Sequence, residues 1–80
     1  MRLDKYLKVS RLIKRRTVAN EACDGGRVFI NGRQAKASAD VKAGDVISIS
    51  FGNKEVKVEV LDVAETVRKE EAKDMFKYLS

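Results

Sequence analysis

The nine residues Gly25-Gly26-Arg27-Val28-Phe29-Ile30-Asn31-Gly32-Arg33, GGRVFINGR, decide how this chain folds. A glycine pair tolerates left-handed backbone and ends a helix without steric cost. The run RVFI that follows is β-branched and aromatic, the composition of a short strand. Asn31-Gly32 then supplies the strongest short hairpin signal, a two-residue turn with positive φ at both positions. Helical structure is therefore expected before residue 25, and a sheet after residue 27.

Upstream, RLDKYLKVS (2–10) carries Leu3, Tyr6 and Leu7 at the i, i+3, i+4 spacing of a buried helical stripe. Arg2, Lys5 and Lys8 recur every three residues and fall on a different face, so burying the stripe turns these cations outward. Asp4 lies in the first turn, where it favours the helix dipole and is expected to pair with Lys8. Thr17 reads as the N-cap of a second helix through VANEACD, which buries Val18, Ala19, Ala22 and Cys23.

Downstream, a return strand is expected near Arg33 to Ala35. A loop, a Gly44-Asp45 turn and two more strands joined at Gly52-Asn53 follow. Ile47, Ile49 and Phe51 alternate with Val46, Ser48 and Ser50, while Val56, Val58 and Val60 alternate with Lys57 and Glu59. Tyr6, Phe29 and Phe51 are expected in the core. The end, TVRKEEAKDMFKYLS, places Val67, Met75, Phe76 and Leu79 near helical spacing and predicts a C-terminal amphipathic helix. The expected class is α+β, with two N-terminal helices packed on a small antiparallel sheet of four to five strands, plus that helix. A domain over 1–62 and a helical extension over 63–80 are the expected divisions.

Eighty residues allow one small core and leave no room for separate catalytic and substrate domains. Net charge is +5, and it is unevenly spread. Residues 1–36 hold ten Lys/Arg against three Asp/Glu, a net +7, whereas residues 37–80 hold seven against nine, a net −2. Such clustering concentrates positive potential on one surface, as binding to nucleic acid or anionic membrane requires.

The densest part is KVSRLIKRRT (8–17), with five basic side chains and no acid. Leu12 and Ile13 can point inward, while Lys8, Arg11, Lys14, Arg15 and Arg16 have only Asp4 near them on the N-terminal side. Most of that charge is left to meet phosphates. Arginine can bridge two phosphate oxygens, which favours Arg2, Arg11, Arg15 and Arg16 as positioning residues.

Other chemistries find little support. Ser10, Ser38 and Cys23 are candidate nucleophiles without any histidine to serve as base, so no enzymatic activity is expected. One cysteine and no histidine make a poor metal site, and no cofactor is expected. Cys23 is expected to be buried. The basic helices lack the broad Trp/Phe/Leu face of a membrane-surface binder, and the first residues lack the apolar stretch of a secretory signal. A cytoplasmic monomer is the expectation.

Three patterns, RLDKYL, then R…A…GRV.ING, then K.S..V..GD.I.I, resemble the S-four RNA-binding domain over about residues 1–51. The family pattern falls here on Arg2, Leu3, Asp4 and Leu7. It continues on Arg16, Ala19, Gly26 and Val28, then on Ile30, Asn31 and Gly32, and last on Lys36, Ser38, Val41, Gly44 and Asp45. The resemblance is to the small free-standing members that serve ribosome-associated quality control. It implies binding to a dissociated large ribosomal subunit with a blocked nascent chain, contact with ribosomal RNA and peptidyl-tRNA, and a partner protein that extends the stalled peptide without a template. A more general role of the family, in ribosome assembly or in recycling large subunits after heat shock, is the alternative it implies. RNA contacts are expected at Arg2, Lys5, Lys8, Arg11, Lys14, Arg15, Arg16 and Lys36. Composition and spacing by themselves reach an RNA-binding module.

Overall fold

The computed structural model describes residues 1–64 and 68–79. Helices α1 (Leu3–Val9) and α2 (Arg16–Asp24) precede strands β1 (Val28–Ile30), β2 (Arg33–Gln34), β3 (Val46–Phe51) and β4 (Lys54–Val60). A 3-10 helix (Lys69–Met75) and strand β5 (Phe76–Tyr78) close the chain. All pairings are antiparallel, in the order β2-β1-β3-β4-β5.

The hairpin turn forms as its sequence demands: Asn31 has φ 52° and Gly32 φ 83°, the positive pair of a primed turn. Asn31 does more than turn the chain. Its Oδ1 accepts from the Val46 N–H at 2.9 Å and its Nδ2 donates to Asp45 at 3.1 Å, fixing β1 against the start of β3. Opposite the open face of the sheet, Leu3, Tyr6 and Leu7 of α1 and Ala19, Ala22 and Cys23 of α2 meet Val28, Ile47, Ile49, Val58 and Val60 in one core. The loop between β2 and β3 seals the helix start, because the Leu3 and Asp4 N–H groups donate to the carbonyls of Ala39 (2.8 Å) and Ala37 (3.1 Å).

Several details depart from the sequence reading. Helix α2 begins at Arg16, with extended Arg15 in the N-cap position and no side-chain cap. Its first turn closes on the Arg15 carbonyl, which accepts from the Ala19 N–H at 3.0 Å, so Thr17 lies inside the helix rather than capping it. Val18 is 46% exposed, since it sits roughly a quarter turn from the centre of the Ala19–Ala22–Cys23 stripe. Phe51 is exposed at the tip of the β3–β4 hairpin, beyond the reach of the helices, and Phe29 is half-buried.

The chain end departs further. In place of an amphipathic α-helix running to the terminus there is the short 3-10 helix and then β5, which pairs Phe76 with Val60 and Tyr78 with Val58. An unpaired β4 would leave a long row of backbone donors and acceptors at the sheet edge, and β5 covers its C-terminal half, from Val58 to Val60. Met75 and Phe76 are buried as expected. The Tyr6 hydroxyl donates to the Met75 carbonyl at 2.9 Å, tying the segment to α1. Val67, also assigned to that helix, lies outside the described residues.

Candidate nucleic-acid interface

The two helices bring Arg2 and Arg16, distant in sequence, onto one carboxylate. Asp4 is buried, only 2% exposed, yet it is ionised. Burial pushes its carboxyl up, but hydrogen bonds from Arg2, Asn20 and Arg16 together with the Arg16 charge outweigh that and hold it below the usual carboxylate range. Arg2 reaches Oδ1 through Nε at 3.1 Å and Oδ2 through Nη2 at 3.3 Å. Arg16 reaches the same oxygens from the other helix, Nε to Oδ2 at 3.4 Å and Nη2 to Oδ1 at 3.5 Å. Asn20 Nδ2 donates to Oδ2 at 3.3 Å and the Lys5 backbone N–H to Oδ1 at 2.8 Å.

Asp4 therefore pairs with Arg2 and Arg16 in place of the expected Lys8. Both guanidiniums keep about half their side-chain surface in solvent, 53% for Arg2 and 49% for Arg16. Arg2 commits two N–H donors to Asp4 and Arg16 one, leaving three and four of their five donors pointing elsewhere. The buried carboxylate thus fixes two arginine forks side by side at the surface, with their rotamer freedom lost before any ligand arrives.

Around them lies charge without local compensation. Lys8, Arg11, Lys14 and Arg15 are exposed and make no ion pair among the described residues. Lys5 is half-buried on α1 beside them. Arg11 sits in left-handed backbone at φ 64°. The end of α2 shows what that position normally takes: Gly26 at φ 81° lets its own N–H reach the Cys23 carbonyl and the Arg27 N–H reach that of Ala22. At the corresponding place after α1 the Arg11 N–H reaches the Lys8 carbonyl at 3.1 Å, with a long cationic side chain where glycine would be unstrained.

Lys36 stands apart from this cluster. It lines a cleft with Cys23, Asp24, Gly25 and Gly26, at the opposite end of α2 from Arg16, and its charge there favours the negative end of the helix dipole. Burial, then the nearby charges of Asp4 and Asp24, push the Cys23 thiol up to about 11, which keeps it protonated and unreactive. Sequence reading missed Asn20, which holds the Asp4 carboxylate; only its spacing of four from Arg16 on α2 hinted that the two share a face.

A two-helix cationic surface on a small antiparallel sheet, with a carboxylate locking two arginines, defines an RNA-binding module, and the chain belongs to the S4 domain family, whose profile matches residues 1–47. Among its relatives, the RQC P-site tRNA stabilizing factor of Bacillus subtilis is 60% identical over 79 residues, covering 99% of this chain and 92% of that protein. The protein of the same name from Streptococcus pneumoniae is 54% identical over 80 residues, covering 100% and 91%. The fold is similar to that in the trimeric structure of Vibrio cholerae Heat Shock Protein 15, with a TM-score of 0.91 at 31% identity, over 100% of this chain and 82% of that one.

Proposed function

We propose that this protein binds large ribosomal subunits that carry a stalled peptidyl-tRNA, contacts ribosomal RNA and that tRNA through the α1–α2 face, and steadies the tRNA in the P site. A partner protein on the same subunit would then extend the nascent chain without a template. The protein performs no chemistry of its own and acts as a monomer in the cytoplasm. The observation that carries this reading is the Asp4-locked pair of Arg2 and Arg16, set near Lys8, Arg11, Lys14 and Arg15, which make no ion pair among the described residues, in a chain similar to factors named for stabilising P-site tRNA. Structured RNA is recognised through shape, phosphates and 2′-hydroxyls, for which a rigid cationic helix pair is sufficient equipment.

Co-sedimentation tests it. Retention on large subunits carrying peptidyl-tRNA should exceed retention on vacant subunits, and no retention on either would contradict the reading. Equal retention on both would favour the more general role in assembly or heat-shock recycling of large subunits, to which the likeness to Heat Shock Protein 15 lends support.

A further inference from the structure

Beside the arginine pair, the surface dips into a shallow, wide-open cavity of about 350 Å³ lined by Asp4, Arg16, Thr17, Asn20 and Glu21. Its lining does not suit a phosphate. Glu21 is exposed, shares this lining with Arg16, and makes no ion pair among the described residues. An acid there repels the phosphate backbone that its neighbours attract. Asp4 is not the acceptor that remains open, because its two oxygens already take bonds from Arg2, Arg16, Asn20 and the Lys5 N–H. The free acceptors are the Glu21 carboxylate and, since Asn20 turns its amide nitrogen toward Asp4, the Asn20 side-chain oxygen.

We infer that this cavity receives one unstacked guanine of the bound RNA, whose donor edge meets the Glu21 carboxylate while its backbone phosphate lies against Arg16. The inference rests on the RNA-binding reading above and adds a nucleotide preference to it. A carboxylate offers two acceptors and no donor. Guanine is the one standard base whose Watson–Crick edge presents two adjacent donors, N1–H and the 2-amino group. Adenine and cytosine place a ring-nitrogen acceptor beside their amino group, and uracil flanks its single donor with two carbonyls, so each sets a lone pair against the carboxylate. The Arg16 guanidinium, held by Asp4 at the rim, offers a plane on which a splayed base can stack, the common mode by which single-stranded RNA is read.

The test uses the full chain and fluorescently labelled oligouridine of one length, carrying at its centre a single guanosine, inosine, adenosine or uridine. Inosine differs from guanosine only by lacking the 2-amino donor. The guanosine oligomer should bind about tenfold tighter than the other three, the order of discrimination a bidentate contact gives. Glu21→Gln, which presents a donor in place of one acceptor, should bring all four to within about twofold of one another, while affinity for every oligomer, the all-uridine one included, rises modestly because a charge that repels phosphates is gone. Equal affinity of the native protein for the guanosine and inosine oligomers would overturn the inference, as would a guanosine preference that survives Glu21→Gln. In either case retained, salt-sensitive binding would leave the RNA-binding reading standing, whereas failure to bind any of the four would remove both.

Discussion

Asp4 and Arg11 are the residues at which this protein sets aside ordinary preferences. Removing the Asp4 charge while keeping its shape, in Asp4→Asn, takes away the ionic part of its bonds from both arginines, but the guanidiniums are half-exposed and can turn to water. The expected loss is about 1.5–3 kcal/mol, the range for hydrogen bonds to charged groups, measured by denaturant unfolding. The sign with pH follows from the lowered carboxyl: its stabilising contribution is present above the unfolded-state value and fades as pH falls through the folded-state value. Native protein and Asp4→Asn should therefore differ most at neutral pH and converge below about pH 4. For the same reason Arg16→Ala removes one partner of a buried carboxylate and is expected to lower stability as well as binding. Arg11→Gly should move the two properties in opposite directions. Glycine relieves left-handed strain of roughly 1 kcal/mol, partly offset by the greater freedom glycine gives the unfolded chain, so melting should rise slightly while affinity for RNA falls. A fall in both would assign Arg11 a packing role instead.

Among the elements, the β1–β2 hairpin and the two N-terminal helices were legible because their signals are local: paired positive-φ residues, a glycine stop, and a stripe at helical spacing. What sequence could not show is competition over distance. The segment Met75-Phe76-Lys77-Tyr78 has apolar spacing that a helix would accept, but the open edge of β4 offers it backbone partners, and pairing wins. Similarly, Arg2 and Arg16 were each readable as surface cations, yet their sharing of Asp4 depends on how α1 and α2 cross. The Tyr6–Met75 bond is a further long-range tie, between α1 and the chain end. Burial pushes the Tyr6 phenol well above its ordinary value, so it remains a donor at every physiological pH. Tyr6→Phe should cost about 1 kcal/mol in global stability, with faster hydrogen exchange in β5 and unchanged RNA binding. Unaltered exchange there would show that strand pairing alone secures the chain end.

Across the whole molecule, charge and packing are divided between two regions. The first 36 residues carry the net +7 and the side chains that can meet phosphates, while the remainder, net −2, supplies most of the sheet that holds α1 and α2 rigid. A rigid support matters because two arginines fixed at one spacing engage phosphates without first giving up rotamer entropy. The measurement that bears most directly on this division is the salt dependence of binding to large ribosomal subunits, comparing the native protein with the Lys14→Ala/Arg15→Ala variant. Both side chains are exposed and unpaired among the described residues, so melting should shift by less than about 0.5 kcal/mol. Every phosphate that the variant no longer neutralises should reduce the slope of log affinity against log salt by roughly 0.7–0.9, or about 1.5 for the pair, with weaker binding at low salt. An unchanged affinity and slope in a normally folded variant would contradict phosphate binding by this face and return the charge of KVSRLIKRRT to simple solvation.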